Sequence, residues 1–186
     1  NYTFNYDKRD QRYKTTDGFV SSFTQNVPIV SDNYSLTNSY NYKVYNKWYG
    51  ENIASFNFFA KSSNSLKDKN IKLSERLILP SRRLRGFESG KIGPVDSLDY
   101  IGGNYISSIN FSSTLPQLLP SFQNTDLTFF IDAANIWGVD YDSTIKDGSK
   151  IRSSTGIGMD VLTPIGPLNF SLSQPISKAS TDVTET

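Results

Sequence analysis

Alternation with a period of two runs along most of the chain. Between Asn33 and Tyr45 one parity reads Tyr34, Leu36, Asn38, Tyr40, Tyr42 and Val44, while the other reads Ser35, Thr37, Ser39, Asn41, Lys43 and Tyr45. Successive side chains of a strand point to opposite faces, so this segment is a strand with one apolar or aromatic face and one small polar face. It is longer than a typical globular strand. Phe19 and Phe23 alternate with Ser22 and Thr24 before it, and Ala54, Phe56, Phe58 and Ala60 oppose Ser55, Asn57 and Lys61 after it. The second half repeats the theme. Tyr105, Ile109, Phe111 and Leu115 stand against Ser108, Asn110 and Ser112, and Leu127, Phe129, Ile131 and Ala133 against Thr128, Phe130, Asp132 and Ala134. Ile157, Met159 and Val161 face away from Gly156, Gly158 and Asp160, as Leu168, Phe170 and Leu172 do from Asn169, Ser171 and Ser173. With a partial strand near Tyr2 to Tyr6 the pattern predicts about eight strands. No segment carries a helical stripe at spacings of three and four.

The connections fall into two kinds. Val27-Pro28-Ile29 to Asn33, Leu115-Pro116 to Pro120, and Thr163-Pro164-Ile165-Gly166-Pro167 are Pro-rich and fairly short, whereas Asp7 to Asp17 and Gly138 to Lys150 are long and polar. Short turns alternating with long loops are the signature of an outer-membrane up-and-down barrel. Tyr45, Trp48, Tyr49, Tyr105 and Trp137 lie near strand ends, where interfacial girdles form. A soluble lipocalin-like barrel or a β-sandwich also produces alternation, but strands this long with a small polar face favour a wide barrel. The predicted class is all-β, a transmembrane antiparallel up-and-down β-barrel. The chain opens on Asn1-Tyr2-Thr3-Phe4, in what reads as mid-strand, and is expected to be a fragment of something longer. It holds no apolar run long enough for a membrane helix, a test that does not apply to barrel strands.

Composition sharpens this picture. Hydrophobic residues make up 37%, low for a soluble core, yet aromatics reach 13%. That combination suits a sheet wetted on one side and does not suit disorder. Nineteen basic residues against 18 acidic ones give a net charge of only +1, which argues against a nucleic-acid partner. Cysteine and histidine are both absent, excluding disulfides, cysteine-liganded zinc, a thiol nucleophile and a Ser-His-Asp triad. Outer-membrane hydrolases built on Ser-His or Asp-His lose their base for the same reason. Asp96 with Asp99, and Asp140 with Asp142, sit in Gly/Ser-rich sequence and read as solvated turn residues. Asp140-Tyr141-Asp142-Ser143 and Asp147-Gly148 lack the Glu that would complete a calcium loop. The sequence therefore assigns no enzymatic activity, no catalytic residue, no metal and no cofactor.

One segment, 62–103, sustains no alternation. Loops of this length are uncommon and usually functional or disordered. Lys67-Asp68-Lys69-Asn70 is a solvated tip, while Arg76 and Ser81-Arg82-Arg83-Leu84-Arg85-Gly86-Phe87 hold four of the chain's seven arginines. A solvated basic loop accounts for the bare cluster. Alternatively, Arg85 is fixed internally, with Gly86 permitting a tight turn and Phe87 anchoring it in an apolar niche.

Leu84-Arg85-Gly86-Phe87, then Ile92-Gly93-Pro94 and Ile101-Gly102-Gly103-Asn104, resembles the BamA family of outer-membrane assembly barrels. Phe130-Ile131-Asp132-Ala133-Ala134 is similar to a second family motif, with Ala134 where the family usually has Gly. Ser154-Thr155-Gly156-Ile157-Gly158 through Pro164-Ile165-Gly166-Pro167-Leu168 to Gln174-Pro175 resembles the penultimate hairpin. The three motifs occur in family order and cover nearly everything after Glu75. The resemblance implies a sixteen-stranded barrel of which residues 1–186 supply roughly strands eight to fifteen, without POTRA domains or the aromatic-ended final strand. It further implies that 62–103 is an extracellular loop folded into the lumen, bringing the motif Arg85, Gly86 and Phe87 to wall partners Phe130 and Asp132. Parity supports one part of this independently: if Leu127, Phe129 and Ile131 meet lipid, Asp132 points inward, where a carboxylate is tolerated. The implied activity is assembly and insertion of other β-barrel proteins in the bacterial outer membrane, without nucleotide. The implied partners are outer-membrane lipids, unfolded barrel clients and accessory lipoproteins. A two-partner secretion transporter of the same superfamily and an ordinary porin are the competing readings.

Overall fold

The computed structural model describes residues 1–28, 34–67, 69–116, 125–145, 150–163 and 166–185. The predicted alternation becomes eight long antiparallel strands: β1 (Tyr2–Asp7), β2 (Gly18–Asn26), β3 (Ser35–Tyr49), β4 (Asn52–Ser65), β7 (Tyr105–Pro116), β8 (Thr125–Trp137), β9 (Arg152–Thr163) and β10 (Gly166–Ser177). Between β4 and β7 the chain forms two short 3₁₀ turns and a minute hairpin, β5 (Val95–Asp96) with β6 (Asp99–Tyr100). The long strands lie in sequence order in one sheet that is not closed, with β1 and β10 at its edges.

Register keeps the two parities apart, because every strand pairs like with like. Val44 lies opposite Phe19 and Phe56, Phe56 opposite Phe111, and Phe111 opposite Ile131. One face is accordingly apolar and open, with Phe56, Phe111, Phe129, Ile131, Ile157, Phe170 and Leu172 all exposed. The other, inner face carries the small polar parity and receives the long loop. An apolar face this broad, left open by every other element, suits lipid rather than water.

Three local expectations change. Strand β4 runs on to Ser65 and β7 to Pro116, so the irregular segment begins at 66 rather than 62, and Pro116 belongs to a strand. Short and long connections do not alternate strictly. In an antiparallel meander successive connections fall at opposite ends, so 8–17 shares an end with the two-residue Gly50-Glu51 turn rather than with the long loop. Most of the Val27–Asn33 and Leu115–Pro120 connections, Pro164-Ile165 and Asp147-Gly148 lie outside the described residues. Tyr45, expected in a girdle, pairs with inward Ser55 and takes the Lys43 ammonium over its ring at 4.8 Å. Trp48 and Tyr49 are exposed at the end of β3, where a register shift between Lys47 and Tyr49 turns Tyr49 outward.

Candidate functional site

The loop between β4 and β7 lies on the inner face of the sheet, and the two build a small dry core together. Leu77, Leu79, Leu84, Phe87 and Ile92 come from the loop, and Ile106, Ala134 and Ile136 from β7 and β8, with Phe59 of β4 packed against them. Each such side chain contributes about 1.5–3 kcal/mol on full burial. The hydrophobic content is low for a soluble core, and the core present is a small one between loop and wall. Paired backbone bonds between Leu77 and Gly103 close the base of the loop, at 2.7 and 3.0 Å.

The arginine-rich stretch reaches the wall from this seat. Arg85 Nε donates to Asp132 Oδ2 at 2.7 Å and its Nη2 to Oδ1 at 2.8 Å, a bidentate pair. The Arg85 backbone N–H also points at Oδ2, 3.2 Å away, and Asn110 Nδ2 donates to Oδ1 at 2.8 Å. Asp132 is 0% exposed, and these four donors replace the water it has lost. The Arg85 guanidinium sits 3.4 Å from the Phe130 ring centroid, so the ring faces the cation while the carboxylate holds its edge. Phe130 is 1% exposed; it lies flat on the wall because its register partner is Gly156, whose missing Cβ would stand 2.6 Å from Phe130 Cζ.

Gly86 and Phe87 complete the tip. Gly86 adopts φ +87°, which a side chain strains to reach, and a Cβ there would meet Ser173 Oγ at 3.0 Å. The turn sends Phe87 into the apolar core. Ala134, where a glycine was the family habit, occupies ordinary strand geometry opposite Ser108 and Arg152.

The neighbouring arginines are held too, so the basic stretch is not simply a solvated loop. Arg83 donates from Nη1 to Asn57 Oδ1 at 3.0 Å and from Nη2 to Asn41 Oδ1 at 2.8 Å, with its guanidinium over Phe59. Its partners are neutral. Burial first, and the adjacent Arg82 charge second, push its guanidinium below the ordinary value. Asn110 Nδ2 also donates to the Arg83 carbonyl at 2.9 Å, tying the two arginines to one wall amide.

Further ion pairs are not anticipated by the sequence; besides Lys14 with Asp126 at 2.9 Å, two of them tie distant segments around the loop. Arg76 pairs with Asp140, which also accepts the Ile71 N–H at 2.8 Å. Asp140, read as a solvated turn carboxylate, is thus a tie between two connections. Burial opposes its charge, but the Ile71 N–H, the Asn104 amide and Arg76 together hold its carboxyl below the usual range. Tyr141 donates to Asp96 Oδ2 at 2.6 Å, which raises the phenol. Asp142 caps Thr144 locally, as a turn residue does. The third pair, Arg152 with Asp182, joins β9 to the segment after β10. Arg76 and Asp140 are 64 positions apart and Arg152 and Asp182 are 30 apart, and the one sequence signal that could have pointed to Arg152 is its inward parity on β9.

An open outer apolar face, a meander of long strands and a loop seated on the inner wall define a membrane β-barrel segment. The chain belongs to the Omp85 superfamily, whose domain model matches residues 1–186. It is 28% identical over 106 residues to the outer membrane protein assembly factor BamA of Neorickettsia risticii, covering 55% of this chain and 14% of that protein. It is 28% identical over 128 residues to a SAM50-like protein of Schizosaccharomyces pombe, covering 64% of this chain and 26% of the relative. The crystal structure of BamA from Haemophilus ducreyi lacking POTRA domains 1–3 matches with a TM-score of 0.84 at 27% identity, over 98% of this chain and 40% of that one. The chain thus spans well under half the length of each, and corresponds to part of a BamA-like barrel of the bacterial outer membrane.

Proposed function

We propose that the chain supplies the loop-bearing part of an outer-membrane insertase, which assembles and inserts other β-barrel proteins without enzymatic chemistry. The observation that carries this reading is the bidentate Arg85–Asp132 pair, in which a loop folded onto the inner wall is fastened to a fully buried wall carboxylate. A passive pore has no need of a charge pair at that depth, whereas a machine whose wall must stay ordered while clients pass does. In this reading 66–104 is an extracellular loop turned into the lumen, Arg85, Gly86 and Phe87 form its lock, and Phe130 and Asp132 are the wall partners. Strand edges present unpaired N–H and C=O groups that template an incoming strand. Clients are unfolded barrel chains, the surroundings are outer-membrane lipids, and accessory lipoproteins assist.

The test is complementation. Cells depleted of the wild-type protein and supplied with the complete protein carrying Asp132→Ala should accumulate unfolded barrel clients. Normal client assembly in that variant, with the loop shown to be loosened, would remove the lock from the mechanism. A secretion transporter of the same superfamily is separated by its upstream domains: five POTRA-like repeats favour the insertase, two favour the transporter, and none sinks both.

A further inference from the structure

The segment after β10 does more than leave the sheet. It runs back along the tip of the long loop as a strap. Glu88 N–H donates to the Val183 carbonyl at 3.0 Å and Glu185 N–H to the Gly86 carbonyl at 3.1 Å, setting Phe87 opposite Thr184. Val183 N–H adds a bond to the Lys91 carbonyl at 3.0 Å, and the Tyr100 hydroxyl donates to the Thr181 carbonyl. The backbone of the Gly86–Phe87 tip is therefore held by the strap, while its arginine is held by β8.

What fixes the strap is Asp182. Arg152 of β9 donates from Nε to Asp182 Oδ2 at 2.9 Å and from Nη2 to Oδ1 at 3.1 Å. Their side chains are 1% and 0% exposed, the most deeply buried ion pair among the described residues. Asp182 also accepts the strap's own Ala179 N–H at 2.6 Å and the long loop's Gly93 N–H at 3.4 Å. Arg152 spends a further donor on Asn135 Oδ1 at 2.8 Å, so its direction is set by β8 as well as by β9. One carboxylate thus gathers strand, loop and strap at a single point. A one-residue slip of the strap would turn every side chain over and part Thr184 from Phe87, and a buried bidentate pair makes such slips costly because it leaves charges unmatched.

We propose that Arg152 and Asp182 are positioning residues for the Arg85-Gly86-Phe87 tip: they fix the register of the strap, and the strap's backbone in turn fixes the tip. The idea deepens the reading of the loop as a locked element, but its tests follow loop order rather than client assembly, so each can fail alone. In the complete barrel, embedded in outer-membrane vesicles, Asp182→Asn keeps the side-chain shape and weakens the charge pair. Amide exchange at Glu88 and Glu185 should then rise about ten-fold or more, while amides of β4 and β7 exchange as in wild type, since openings are local. Trypsin should cut faster after Arg82 and Arg83, with the folded barrel keeping its unheated gel mobility. Wild-type exchange and cleavage in a folded Asp182→Asn barrel would overturn the proposal. So would a uniform rise across β4 and β7, the mark of a merely structural pair. Should that variant fail to fold, Glu185→Pro removes only the donor to Gly86 and leaves Arg152–Asp182 in place. Faster Glu88 exchange is expected there, and unchanged exchange overturns the strap's role. Failed client assembly in Arg85→Ala with normal strap exchange bears on the proposed function alone.

Discussion

Strands β1–β3 and strands β7–β9 share one backbone plan and differ in what their inner faces meet. On β2 and β3 the inner residues are mostly small, polar or charged, with Val20 and Tyr45 the exceptions, and cross-strand contacts are surface-like, as with Thr3 beside Thr24 at 3.3 Å. Neither strand places a residue in the buried core. On β7 and β8 the same parity carries Ile106, Ser108, Phe130, Asp132, Ala134 and Ile136, all buried beneath the loop. Two periods of alternation that look alike in sequence thus serve different ends: one wall is wet, and the other is a docking surface. Several inward aromatic and aliphatic residues on adjoining barrel strands, as Ile106, Phe130 and Ile136 are, mark where something lies on the wall.

The comparison can be broken most severely at Asp132. Asp132→Ala leaves Arg85 without its carboxylate and should release the loop at a cost of about 3–5 kcal/mol, read as rapid trypsin cleavage after Arg83. Cleavage at the wild-type rate would mean that the apolar seat alone holds the loop. Next comes Gly156→Ala on β9. The added Cβ would collide with Phe130 and with the Leu172 carbonyl, 2.2 Å from its ideal position, and overpacking of this kind costs about 1–3 kcal/mol. A lower unfolding temperature together with a loosened loop is expected, and Gly158→Ala, where the nearest atom is 3.6 Å away, is the mild control.

Acid supplies a smaller effect. The Asp140 carboxyl is depressed from its ordinary 3.8 in the folded state, so its contribution is complete above that value and disappears as pH falls through the lower folded one. Exchange at the Ile71 amide should therefore quicken only below about pH 4, and Asp140→Asn should abolish that dependence. Least of all, Thr24→Ala on the wet wall removes the hydroxyl pair with Thr3 at 3.3 Å and should shift stability by no more than about 0.5 kcal/mol. A larger loss there would erase the distinction between the two walls.

The strands were legible because a half-lipid, half-water sheet writes its two environments into alternate residues. Asp132 was legible for the same reason, since a carboxylate in an otherwise apolar parity pattern has one tolerable side. Even Tyr45 was readable as inward, sharing its parity with Lys43, although its position near a strand end pointed to a girdle. Leu77, Leu79 and Ile92 left no such trace, because a loop that docks through irregular backbone has no period to display. Arg76–Asp140 and Arg152–Asp182 were hidden by distance along the chain: each partner alone resembles a solvated charge, and only the fold brings them together.

Arg83 grips Asn41 on β3 and Asn57 on β4; Asn110 on β7 holds its carbonyl. Arg85 is fastened to β8, the strap to β9, and Gly86 rests against Ser173 on β10. Six neighbouring strands are thus joined crosswise by the loop and the strap together, running over hydrogen bonds that otherwise link only adjacent pairs. Such a brace resists shear. Its mechanical consequence is that any spreading of this part of the wall must be taken up beyond β3 or beyond β10, which leaves the compliance of the barrel to the strands that the loop does not reach.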